Sequence, residues 1–174
     1  MGYHRMRMKR HAIRRGAEPI IFRRYLQVQI SSRFTIAIHI FTCIETFKDQ
    51  YKLTSEFLAS SVNVNPVVIR RILQQLKAAG LVTVARGSGG ASMAKPPEEV
   101  TFLDVYQAVE CVENGELFHI HEDPNPQCAV GRNIHGVLDG KLYRIQKAME
   151  DEMRKITIAD VIKDTKTCIQ KEKE

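Results

Sequence analysis

Hydrophobic positions fall into a regular pattern from Ser31 onward. Phe34, Ile38, Phe41 and Ile44 recur at helical spacing, and Ile36, Ala37 and Ile40 widen the stripe. This predicts a mostly buried helix over about 31–48, with Ser31 or Ser32 as its N-cap. Asp49 to Lys52 breaks the pattern. Thr54 or Ser55 then caps a short helix that turns Phe57, Leu58 and Val62 inward. Val62 to Pro66 is a turn that leads into a strong helix start. Asn65 suits the N-cap, and Pro66 suits the first helical position, where its missing N–H costs nothing. Ile69, Ile72, Leu73 and Leu76 form one apolar stripe, Arg70, Arg71, Gln74, Gln75 and Lys77 take the other faces, and Gly80 is the stop.

Leu81–Val84 is a short strand, and Arg86-Gly87-Ser88-Gly89-Gly90 is too glycine-rich for a helix. Ala91–Ala94 can return as a second strand, which makes a small hairpin ended by Pro96 and Pro97. Thr101 caps a helix carrying Leu103, Val105, Tyr106 and Val109. After a polar loop over 113–127, a long helix is predicted from about 129 to 155. Along it Val130, Ile134, Val137, Leu142, Ile145, Met149 and Met153 approach a heptad seam, and Leu138 broadens it. Gly131, Gly136 and Gly140 interrupt the run. The seam is long for a helix that only covers its own domain, so we read it as a dimerisation helix, with Ile134, Leu138, Leu142, Ile145 and Met149 buried across a two-fold axis. Thr157 to Lys163 reads as one or two further helical turns before a charged end.

Charge divides the chain. The formal net charge of +6 is +7 over residues 1–27, zero over 28–51, +5 over 52–95 and −6 over 96–174. A basic segment on an acidic body suggests a localised polyanion site. The first 27 residues have no sustained period and no apolar stretch long enough for a secretory signal. Their arginines without serine argue against a transit peptide. A nucleic-acid-binding arm is one reading. A disordered extension, or an over-extended gene start with Val28 as the true first residue, is the other.

Helix, turn, capped helix, strand, glycine-rich turn, strand is the order of a winged helix-turn-helix. The fold class expected is therefore mainly α with a small β-hairpin wing, plus a long C-terminal dimerisation helix. Its second short helix must enter the major groove, so its exposed face must be polar or small. Here that face offers Asn65, Val67, Arg70, Arg71 and Gln74. Arginine can grip guanine through two hydrogen bonds, and Val67 suits a thymine methyl. Arg86 puts a charge on the narrow wing. The expected partners are double-stranded DNA and a second copy of the chain, with no membrane.

The segments ISSRFTIAIHI, NPVVIRRILQQLKAAGLVTVARGSGGASMAK, TFLDVYQAVE and CAVGRNIHGVL resemble the Rrf-two family of bacterial winged-helix transcription regulators. The resemblance covers about residues 29–158 and is most specific from Asn65 to Lys95. It implies a cytoplasmic homodimer that binds an operator. By position, it places Val67, Arg70 and Arg71 where family members read bases, and Arg86 and Ser88 on the wing that touches DNA. Cluster-binding members carry three cysteines in the loop before the long helix. Here Cys128 stands alone, at what looks like the third position, so the chain is similar to the clusterless branch and no iron–sulfur cluster is expected.

The four cysteines lie far apart with no CxxC, which excludes a disulfide scaffold or a zinc ribbon and makes a reducing cytoplasm the default. Cys128 directly precedes the long helix, where the macrodipole stabilises a thiolate. A redox sensor with Cys111 as partner is therefore one reading. An inert Cys128 with a ligand pocket elsewhere is the other. His119, His121, Glu122, Asp123, Cys128 and His135 are candidate metal ligands, but the expectation is a polar loop with scattered imidazoles and no metal or cofactor. No paired carboxylates or nucleophile–base motif appears, and the GSGG turn lacks the following GK[ST] of a phosphate loop, so catalysis is not expected.

The expected division is an extension over 1–27, the winged helix over 28–112, a sensor-like loop over 113–128, the dimerisation and C-terminal helices over 129–164, and a charged tail over 165–174. The function read from all this is a transcription repressor on a pseudo-palindromic operator. The alternative is a winged-helix adaptor for protein assembly, which would need an apolar or acidic face on the second short helix.

Overall fold

In the computed structural model the described residues are 31–85, 90–109, 117–118, 121 and 123–172. Helix α1 spans Ser32–Phe47, α2 Ser55–Val62 and α3 Pro66–Ala78. Strands β1 (Val82–Val84) and β2 (Ala91–Met93) follow, then α4 (Phe102–Val109), α5 (Ile134–Met153) and α6 (Ile158–Lys171). The mainly helical architecture with a two-stranded wing is the one the pattern predicts.

The first three helices start on side-chain caps. Ser31 Oγ accepts from the Arg33 N–H, Thr54 Oγ1 from Phe57 and Asn65 Oδ1 from Val67, at 3.2, 3.2 and 2.8 Å. Each satisfies an otherwise orphan donor of a first turn. Between α2 and α3 the chain turns through Asn63 in the left-handed conformation, at φ 58°. Asparagine tolerates that region better than most residues.

Helix α1 runs through the middle. Phe34, Ala37, Ile40, Phe41, Cys43 and Ile44 are buried along it, and α2, α3, α4, α6 and β2 pack around it. Phe34 meets Phe102 and Tyr106 edge-on, with ring centroids 5.6 and 6.0 Å apart. Helix α3 turns Ile69, Ile72, Leu73 and Leu76 into the same core.

The starts of α4 and α6 are tied side by side. Phe102 N–H donates to the Ile156 carbonyl and Ile158 N–H to the Val100 carbonyl, both at 2.9 Å. Thr101 with Asp104 and Thr157 with Asp160 cap these two helices reciprocally. The chain that leaves α4 thus returns to the body at the start of α6.

Two expectations are corrected. The long helix does not begin near 129. Residues Gly131–Asn133 form a 3-10 turn, and α5 starts at Ile134. Gly131 sits so close to the Asn125 carbonyl that a Cβ there would strike it, and Arg132 N–H donates to the Cys128 carbonyl at 2.9 Å. The chain is thus coiled into a compact turn before the helix. The second correction concerns the end. The expected charged tail over 165–174 is helical as far as Lys171. Ile158 and Ile162 are buried against the body, and Thr165 and Ile169 continue the same stripe half-buried. Lys163, Asp164 and Lys166 occupy the exposed faces and conceal that stripe in the sequence.

The wing is fixed at its base. Ala91 N–H donates to the Leu53 carbonyl and Ala94 N–H to the Leu81 carbonyl, at 2.9 and 3.1 Å. Gly90 lies at φ 99°, and a Cβ there would come within 2.8 Å of the Leu53 backbone nitrogen. Both the backbone conformation and the space demand glycine. Gly90→Ala should therefore destabilise the fold by about 1–3 kcal/mol in urea unfolding. An unchanged unfolding midpoint would show that the wing base does not need this conformation.

Candidate nucleic-acid interface

Val67, Arg70, Arg71 and Gln74 stand at positions i, i+3, i+4 and i+7 of α3, on the face opposite its buried stripe, and all four are exposed. Val67 is 48 % exposed. Asn65, also exposed, spends its Oδ1 on the helix cap. Arg71 is exposed, and among the described residues it has no ion-pair partner. This face adjoins a cleft of about 380 Å³ whose walls include Leu53 and Ser55, Gln74 and Lys77 on α3, and Val84 and Gly90 at the wing base. Arg86 and Ser88, predicted on the wing, lie outside the described residues.

Sequence reasoning missed a feature of this face. The Arg70 guanidinium is paired. Its Nη2 lies 2.6 Å from Glu56 Oε1, and its Nε donates to Ser55 Oγ at 3.2 Å. The Glu56 carboxyl is held below its usual range first by its own backbone N–H, then by Arg70 and by Ser55. The available signal was that Glu56 is the lone acid between residues 52 and 95.

The predicted interface residues of the long helix sit on α5. Ile134, Leu138, Leu142 and Met149 are half-buried, and Ile145 is 55 % exposed. Val137 and Tyr143 are also exposed, and Met153 is the residue of α5 that the body buries. On a helix of roughly 30 Å, Val137, Tyr143 and Ile145 are the large apolar side chains left most open among the described residues, while the rest of the predicted seam is half-buried.

Among the described residues the cysteines do not assemble. Cys43 is buried in α1, where its Sγ lies 3.2 Å from Ser61 Oγ, and burial pushes its thiol up. Cys128 is exposed in the turn before α5. Backbone N–H groups of Gly131 and then Val130 hold its thiol below the usual range. Cys111, its predicted partner, lies outside the described residues, as do His119 and Glu122. The His121 and His135 rings lie 5.3 Å apart, and His135 Nδ1 is 3.2 Å from Asp139 Oδ1. Among the described residues no three His, Cys, Asp or Glu side chains gather as a metal site. No described helix is long and apolar enough to cross a membrane.

Comparison with known proteins fits this geometry. Residues 30–164 match the model of the Rrf2 family, described as iron-dependent transcriptional regulator. The described donors do not fit an iron centre, since Cys43 is in the core while Cys128 and Cys168 are exposed on separate elements. Among curated proteins the chain is 44% identical over 133 residues to YwnA of Bacillus subtilis, named as an HTH-type transcriptional regulator. That match spans 76% of this chain and 96% of YwnA. A crystal structure named as a DNA binding protein is 38% identical, with a TM-score of 0.61, covering 75% of this chain and 98% of that one. CymR, the global cysteine regulator of B. subtilis, shares the fold at 19% identity and a TM-score of 0.57, over 78% of this chain and 97% of its own. The chain belongs to the Rrf2 family of winged-helix, DNA-binding transcriptional regulators.

Proposed function

We propose that the protein is a homodimeric repressor that acts by occupying a pseudo-palindromic operator. The observation that carries this reading is the exposed face of α3, with Val67, Arg70, Arg71 and Gln74 in one line beside the wing. That face is basic and polar, which suits base edges and phosphates better than a protein partner. The exposed Val137, Tyr143 and Ile145 on α5, beside a half-buried seam, support dimerisation through that helix. A two-fold axis there would present two α3 helices to successive major grooves, about 34–36 Å apart. A cytoplasmic location follows from this role.

The test of the interface is a double variant measured on a duplex enriched by selection with the wild-type protein. Arg70→Ala/Arg71→Ala should lose sequence preference, each base-reading arginine supplying about 1–3 kcal/mol of discrimination. Wild-type affinity and preference in that variant would refute the reading of α3.

Sedimentation tests the dimer separately. The wild type should sediment as a dimer at micromolar concentration, while Leu142→Glu or Ile145→Glu should give monomers or aggregates. A monomeric wild type would refute the role of α5.

We further propose that Cys128 reports redox state at the junction between the winged helix and α5. Its support is an exposed sulfur that accepts two backbone hydrogen bonds. Because those bonds favour the thiolate, the pKa falls, and the reactive form persists to lower pH than in an ordinary thiol of about 8.5. Iodoacetamide should therefore modify Cys128 with a lower pH midpoint than an exposed cysteine in an unstructured peptide, and far faster than the buried Cys43. Operator affinity should change on mild oxidation in wild type and not in Cys128→Ser. If the two proteins respond alike, the sensor role is wrong.

A further inference from the structure

Arg70 sits in a closed ring of hydrogen bonds at the mouth of the cleft beside the wing. Its Nε–H donates to Ser55 Oγ at 3.2 Å, the Ser55 hydroxyl donates to Glu56 Oε2 at 3.1 Å, and Nη2 donates to Glu56 Oε1 at 2.6 Å. These bonds occupy one edge of the planar guanidinium, the edge shared by Nε and Nη2. The other edge, shared by Nη1 and Nη2, has no partner among the described residues. Arginine carries five donors in a rigid fork, so one edge can be held by protein while the other meets a ligand. The Nη1–Nη2 edge matches the O6 and N7 acceptors of guanine.

The ring contributes little to the fold. The Arg70 and Glu56 side chains are 54 % and 63 % exposed, and a pair so wet adds almost nothing to stability. It has a definite cost for DNA binding, because it sets a carboxylate next to the face that approaches phosphates. What it supplies is order. A free arginine samples many rotamers and grips any nearby acceptor, whereas an arginine tied at Nε and Nη2 presents one edge in one direction.

We propose that Glu56 and Ser55, on α2, are the positioning residues of Arg70: they hold its guanidinium so that the Nη1–Nη2 edge selects guanine, and the Glu56 charge weakens binding to every other sequence. The specificity of α3 is therefore set partly by the first turn of α2. This rests on α3 being the helix that reads DNA.

The experiment measures relative affinity for a duplex selected by the wild-type protein and for its single base-pair variants. Arg70→Ala locates the base pair that Arg70 reads, through a loss of guanine preference of about tenfold or more there. Glu56→Gln should lower preference at that same base pair by about tenfold, leave the other positions unchanged, and tighten binding to non-cognate duplex severalfold. Ser55→Ala should act in the same direction and less strongly. Glu56→Gln combined with Arg70→Ala should lose no more preference than Arg70→Ala alone. Thermal melts of each variant exclude a folding defect. Undiminished or sharpened guanine preference in Glu56→Gln, with the loss intact in Arg70→Ala, would overturn the positioning role and leave the DNA-reading role of α3 standing. An even loss at every position would also overturn it. If Arg70→Ala changes no preference anywhere, the reading of α3 fails, and this inference fails with it.

Discussion

The structure depends on enclosing α1. This helix carries apolar side chains on most of its circumference, and Ala37, Ile40, Phe41 and Ile44 retain no solvent contact. Fully burying a large aliphatic or aromatic side chain contributes about 1.5–3 kcal/mol, so leaving α1 uncovered on any side would be costly. One layer cannot cover such a helix. α2 and α3 close one part of it, α4 another, and α6 is recruited from the far end of the chain to complete the enclosure. The wing is part of the same solution, since β2 packs on α1 and its base is bonded to Leu53. The orientation of α3, and so the direction of its exposed face, follows from how its buried stripe docks into this core.

That enclosure also explains what remains uncovered. Once α6 has returned to α1, with the starts of α4 and α6 bonded together, α5 spans the distance between them with little of its own surface packed on the body. The large apolar side chains that α5 leaves open are Val137, Tyr143 and Ile145. In the proposed dimer a second chain covers these residues.

Much of this is written locally. Asn65-Pro66 forces a helix start, Gly80 supplies the left-handed stop at φ 69°, and the 3.6-residue stripe of α3 separates core from surface without further information. Features set by tertiary contacts could not be read in that way. The late start of α5 depends on Gly131 meeting a carbonyl six residues earlier. The length of α6 depends on a half-buried stripe masked by intervening charges. The ring around Arg70 joins residues on two helices whose mutual approach no periodicity encodes. On the wing, Arg86 is read from the glycine-rich turn that follows it, whereas Ser88 enters only through the family resemblance.

We propose that two copies of one polar helix face, related by the axis through α5, read DNA together. Selection of bound duplexes from a random pool by the wild-type protein tests it most directly. The account predicts enrichment of a two-fold symmetric sequence, with half-sites centred about 10–10.5 base pairs, or a multiple of that, apart. Recovery of a single asymmetric site, or no enrichment at all, would contradict it.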